Sequence, residues 1–190
     1  MSEKTVSSIV IRLVLDSTEE IIGTNGLKAL LNYAGLISFF DNKPDYSMEK
    51  NYTDDEYGKL TASWYKVLGT SGGKAVFRII GKAIAKRSIA SGAFESFKDL
   101  KPTDKLFKMV ELFSLVSGRG SALREGQVIV YDNPQCTACN GHTSDTGICT
   151  GLNGVLDEFA AWAGVTGVKT VETKCKAKGD ATCRLEVLPA

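Results

Sequence analysis

Four residues toward the C-terminal end restrict this chain more than any other feature. They are Cys149, then Glu172, Cys175 and Cys183 in the run VETKCKAKGDATCRLEV. A Glu-x2-Cys-x7-Cys segment folded over its Lys-Gly-Asp turn brings two thiols together. If the hairpin turns at Gly179, Cys175 stands opposite Cys183. Directly opposed Cβ atoms lie about 4.5–5.5 Å apart and zinc–sulfur bonds are about 2.3 Å long, so both sulfurs reach one ion. Glu172 has the wrong parity for that face and needs a bulge, or must reach round from the start of the strand. Cys149 falls near the start of a predicted helix, where the positive end of the macrodipole favours a thiolate. A Cys3Glu sphere with no open position makes a structural metal site rather than a catalytic one. The plain alternative is that these cysteines are small buried core residues.

The chain has five cysteines, an odd number. The N-terminus, MSEKTVSSIV, has no basic region, long apolar run or cleavage site, and is not expected to be a signal peptide. A cytoplasmic protein is therefore expected, in which metal binding outranks a disulfide framework. Cys136-x2-Cys139, with the lone histidine His142 close by, forms a possible second cluster. It reads as a zinc knuckle, as further ligands for the site of Cys149, as a redox pair, or as loop thiols.

The rest of the chain divides into a helical front, about 1–117, and a mixed back, about 118–190, within one expected domain. Apolar spacing predicts a helix over 5–22, with a strand over Ile9–Leu15 as the competitor. A short helix follows from Leu27 and stops at Gly35. Residues 41–52 read as a loop. Thr53-x2-Glu56 resembles a capping box that opens a helix through Leu60, Trp64 and Val67. That helix is expected to break at Gly69–Gly73, before others at 74–91 and 103–117. Beyond Gly118 the pattern predicts a hairpin of Gly120–Arg124 with Gln127–Tyr131. A helix at 149–163 and strands at 167–174 and 182–188 complete the chain. The fold class is α+β, with N-terminal helices packed on a small antiparallel sheet.

Three further features bear on function. Gly69–Lys74 suggests a phosphate loop but is one residue short, lacks a Ser or Thr after the lysine, and reads as a linker. Lys74, Arg78, Lys82 and Lys86 form a basic row. It is a solvated face balanced by Asp54, Asp55, Glu56 or Glu95, or a docking stripe for an acidic protein partner. The formal net charge of +1 argues against a nucleic-acid partner, and no segment approaches the roughly 20 apolar residues of a membrane span. The helical front is rich in Phe and Trp, which suits either a filled core or an apolar ligand cavity.

The C-terminal segment resembles the 4-vinyl reductase domain and is similar to the aromatic-effector sensor domains of phenol- and xylene-responsive transcription activators. The likeness rests on Cys149 with Gly151-Leu-x-Gly154 and on Val171-Glu-Thr-Lys-Cys-Lys-Ala-Lys-Gly-Asp-Ala-Thr-Cys183. It extends to Gly26-Leu-Lys-Ala-Leu-Leu-Asn-Tyr-Ala-Gly35. The resemblance implies a structural zinc on Cys149, Glu172, Cys175 and Cys183. It also implies a fold related to TRAPP transport subunits and haem–nitric-oxide sensor domains, a homodimer, and an apolar pocket above the zinc for a hydrophobic aromatic ligand, with a tetrapyrrole as one candidate. Two other classes remain open: an enzyme acting on tetrapyrroles, and a TRAPP-like assembly scaffold. The resemblance supplies no catalytic residues.

Overall fold

A computed structural model describes residues 3–189. The front opens with strand β1 (Lys4–Ser7), which leads into helix α1 (Ser8–Ala34). Within α1, Gly23 takes φ 73°, ψ 169° and bends the chain before the helix resumes. Positive φ costs glycine nothing, so one residue suffices for the bend, and the periodic pattern runs on through it. Gly35 ends α1 in the left-handed conformation, its N–H bonding to the carbonyls of Asn32 and Leu31. This is the glycine stop that the sequence predicts.

After a one-turn helix α2 (Ser38–Asp41), strand β2 (Lys50–Thr53) returns to pair antiparallel with β1. Two expectations are corrected here. The first helix starts at Ser8 rather than residue 5, and the end of the 41–52 loop is a strand. Both strands have four residues and the register between them shifts twice. Ladders so short and irregular leave no period-two pattern to read. Ile9–Leu15 is helix, not strand.

Helix α3 (Asp54–Ala90) begins with the anticipated capping box: Thr53 Oγ1 accepts from the Glu56 N–H, and the Glu56 carboxylate accepts from the Thr53 N–H. The expected break at Gly69–Gly73 shrinks to a kink at Gly69 alone (φ 70°, ψ 169°). Helix α4 (Pro102–Ser117) then leads into the back.

The back is a four-stranded antiparallel sheet of β3 (Ser121–Glu125), β4 (Val128–Asn133), β5 (Val168–Lys174) and β6 (Cys183–Pro189), ordered β3-β4-β6-β5. Helix α5 (Thr150–Ala163) packs on it. One buried face carries Tyr131, Leu185 and Val187 from the sheet against Leu106, Met109 and Phe159 from the helices. A second core, Ile11, Leu15, Leu30, Leu60, Trp64 and Ile80, fills the front. Between the two sits a third buried cluster, made of the five cysteines with Phe77, Ala138, Ile148 and Ala177. The α+β architecture is therefore as the sequence predicts. None of the described helices is long and apolar enough to cross a membrane.

Helices α3 and α5 cross in backbone contact. A Cβ on Gly81 would stand 1.8 Å from the Gly151 carbonyl oxygen, and one on Gly154 would stand 2.1 Å from the Arg78 oxygen. Main chain cannot yield as a flexible side chain can. Alongside, Arg78 donates two hydrogen bonds to Asp157 Oδ2, at 2.6 and 2.9 Å. Lys82 Nζ lies 3.9 Å from the same carboxylate. Lys74 bonds Thr146. The carboxylate that faces the basic row is thus Asp157 on α5, not Asp54, Asp55, Glu56 or Glu95, because the crossing lays α5 along that face. Gly154→Ala is expected to lower stability by about 2 kcal/mol through overpacking, seen as a fall in Tm of several degrees with the α-helical circular dichroism retained.

Candidate metal centre and cavity

The hairpin of β5 and β6 explains how residues of mismatched parity share one face. Glu172 pairs with Leu185 while Lys174 pairs with Arg184, so Thr173 is an extra residue, a bulge. Residues directly opposite share a face. Glu172 therefore lies on the buried face of Leu185 and Cys183, and continuing the register past the bulge sets Cys175 beside Cys183. Of the two routes that the spacing leaves open, this is the bulge. The turn is a 3-10 segment (Lys176–Lys178) closed by Gly179 at φ 96°. Asp180 secures it by accepting the Cys175 N–H at 2.8 Å. The Lys176 N–H points at Cys183 Sγ, 3.3 Å away.

Cys149 lies at the start of α5, as expected, although the helix begins one residue later than the predicted 149–163. Its sulfur lies 3.5 Å from Cys183 Sγ. Its N–H donates to Glu172 Oε2 at 3.0 Å. The other oxygen, Glu172 Oε1, is buried without a hydrogen-bond partner. Gly147 leaves room for this carboxylate, since a Cβ there would sit 2.4 Å from Oε2. One donor atom from each of Cys149, Glu172, Cys175 and Cys183 lies within 4.8 Å of the others.

Cys136 and Cys139 are brought to the same place. Cys136 Sγ is 3.5 Å from Cys149 Sγ. Cys139 Sγ is 3.4 Å from Cys149, 3.6 Å from Cys175 and 3.4 Å from Cys183. Cys136, Cys139, Cys149 and Cys183 form a second possible donor set that overlaps the first. There is thus no separate second cluster. Of the readings left open for these two thiols, the structure matches proximity to Cys149. His142 belongs to neither set. Its ring meets Tyr65 edge-on at 5.5 Å and its Nε2 is buried without a partner. Burial first, and then Lys66, lowers its pKa.

The five sulfurs are free thiols, far beyond the roughly 2.05 Å of a disulfide. Their spacing approaches the edge of about 3.8 Å that four sulfurs make around an ion with bonds of about 2.3 Å. Hydrogen bonds among them, from Cys136 first, hold Cys183 far below the ordinary thiol range. Those from Cys139 and then Cys149 hold Cys175 below it as well. Cys139 and Cys149 are pushed up, Cys136 again being the first cause. Burial, and then Cys175, pushes Glu172 up to about 8. Converging sulfurs beside a buried, half-satisfied carboxyl group are a donor set that suits a tetrahedral soft-metal ion.

Next to this centre lies a cavity of about 300 Å³ between the front helices and the back. Val10, Val14, Ile84, Phe94, Phe113 and Val155 line its walls, and Cys136 and Cys149 form part of its lining. Tyr57 and Arg119 are among its polar lining residues. Burial raises the Tyr57 pKa well above the ordinary value, which keeps its hydroxyl protonated. Arg119 is tied to Asp54 and, at 3.3 Å, to Thr5 Oγ1. Sequence reasoning missed Tyr57, Arg119 and Gly147; of these only Gly147, two residues before Cys149, carries a local signal.

No family description matches this sequence, and no curated protein does. Solved structures that share this fold include H-NOX domains. An oxygen-binding H-NOX domain related to soluble guanylate cyclases superposes with a TM-score of 0.62 at 15% identity, covering 95% of this chain and 92% of that one. An H-NOX protein from S. oneidensis in the Fe(II)NO state gives 0.60 at 12% identity over 94% and 98%. A variant of T. tengcongensis H-NOX gives 0.61 at 14% identity over 95% and 94%. The chain thus has the fold of the haem–nitric-oxide sensor domains, as expected. Haem iron takes His, Cys, Met or Tyr ligands. The single histidine, His142, is not in the cavity wall, and the two thiols that are belong to the sulfur cluster. The lining does not fit a histidine-ligated haem.

Gly147→Ala, whose Cβ would meet the Glu172 carboxylate, is expected to lower stability by about 1–3 kcal/mol through overpacking, measured as a fall in Tm.

Proposed function

We propose that this chain is a zinc-stabilised binding domain for a hydrophobic aromatic molecule. The observation that carries the reading is the apolar cavity of about 300 Å³ whose lining includes two sulfurs of the cysteine cluster. The zinc is assigned to Cys149, Glu172, Cys175 and Cys183, the set on which the resemblance to the 4-vinyl reductase family rests. Zinc there would fasten the start of α5 to the β5–β6 hairpin. A structural zinc contributes on the order of 10 kcal/mol to folding, comparable to the whole stability of a domain.

Cavity size speaks to the occupant. An apolar cavity of about 150 Å³ takes benzene, so twice that volume suits a molecule of one or two substituted rings. A tetrapyrrole, the larger candidate, would need the walls to part. Tyr57 supplies a hydroxyl donor at the wall, which suits a ligand with one polar substituent. The cavity also weighs against the scaffold reading, which calls for a filled core. A homodimer remains part of this reading through the resemblance alone.

Two measurements test it. Cys175→Ser or Cys183→Ser is expected to give protein that is unfolded or lacks metal by native mass spectrometry; folded variants with full zinc would overturn the ligand assignment. Val10→Trp, which fills the cavity, is expected to weaken binding of a fluorescent anilinonaphthalene dye by about tenfold, roughly 1.4 kcal/mol, with Tm unchanged or raised. Equal affinity in the variant would place the dye elsewhere.

A further inference from the structure

The cysteine cluster holds more donors than one tetrahedral ion uses. Six side chains converge, Cys136, Cys139, Cys149, Glu172, Cys175 and Cys183, where four suffice. Cys139 is the telling one. Its sulfur lies at 3.4, 3.6 and 3.4 Å from Cys149, Cys175 and Cys183, the three thiols that Glu172 also approaches. These three distances are close to the tetrahedral edge of about 3.8 Å, and Cys149, Cys175 and Cys183 lie within 4.8 Å of one another. Cys139 therefore caps the same three-thiol face.

We propose that the fourth coordination position at this centre is exchangeable, and that either Glu172 or Cys139 completes a sphere whose other ligands are Cys149, Cys175 and Cys183. This rests on the reading of the cluster as a metal centre and goes beyond the Cys3Glu set. In the exchange, the metal–oxygen bond to Glu172 breaks and a metal–sulfur bond to Cys139 forms. The thiol proton of Cys139 passes to the freed carboxylate, so the charge of the centre is unchanged.

Glu172 is provided for when off the metal. Its Oε2 accepts the Cys149 N–H at 3.0 Å in the space left by Gly147, while Oε1 is buried without a protein partner, as suits an atom that waits on an ion. Cys139 is carried by a 3-10 turn (Thr137–Cys139). Cys136, Thr137 and Ala138 of the same loop line the cavity. The alternative ligand thus hangs from a short segment of its own, independent of the β5–β6 hairpin that carries Glu172, Cys175 and Cys183.

Redundancy is the signature to test. Zinc per chain is counted by native mass spectrometry, and the cobalt(II) form is read by its sulfur-to-metal charge-transfer absorbance, which grows with each thiolate. Glu172→Ala and Cys139→Ser are each expected to keep one ion per chain. The Glu172→Ala cobalt form should show a four-thiolate spectrum, and the Cys139→Ser form a three-thiolate one. The double variant should lose affinity on the order of a hundredfold or more. If Glu172→Ala alone loses metal as fully as the double variant, or Cys139→Ser leaves the Glu172→Ala spectrum unchanged, Cys139 is no ligand and the proposal fails. Should that happen while Cys175→Ser also loses the ion, the metal reading itself stands. Full zinc in a Cys149→Ser/Cys183→Ser double variant, which lacks the two thiols common to both donor sets, would end both.

Discussion

The structure depends on a bulge of one residue. Thr173 is the point where β5 slips against β6, and only because of it do Glu172 and Cys175, three apart, face the same side as Cys183. A regular strand alternates its faces, so without the bulge one of the two would point to solvent. The thiols then meet Cys149 at the start of α5, and α5 is itself seated by the glycine crossing with α3. The buried sulfur cluster, the helix docking and the adjoining cavity wall all follow from that local irregularity.

A second constraint acts between the front and back of the chain. The Gly81–Gly151 and Gly154–Arg78 contacts bring two helices together at main-chain distance. Phe77 and Cys149 then share one buried cluster, next to a space whose lining draws on both α1 and α5. The Arg119–Asp54 ion pair joins the front to the loop before β3 in the same region. The cavity lies where two separately packed cores meet, each closed by its own side chains.

Much of this was legible in the sequence, for identifiable reasons. The Thr53–Glu56 capping box, the Gly35 stop and the C-terminal hairpin are local signals, and each appears where expected, while the long helical stretches are found with shifted ends. Parity alone posed the choice between a bulge and a Glu172 reaching round from the start of the strand, and the structure has the bulge. What stayed hidden was non-local. The β1–β2 ladder is too short for a pattern. Asp157 faces Arg78 only because α5 crosses α3. Cys136 and Cys139 join the other thiols through a loop whose path no spacing rule dictates. The glycine kinks at positions 23 and 69 looked like breaks because composition marks a bend but not whether the helix resumes.

The bulge also gives β5 a shape that a regular strand would lack. With Thr173 deleted, Glu172 and Cys175 would stand two residues apart, on one face of an unbroken strand, so parity alone could be met without it. What the extra residue adds is a local bend and a tighter twist, placed just before the Lys176–Lys178 turn. The hairpin end is thereby curled at the point where its sulfurs meet Cys149.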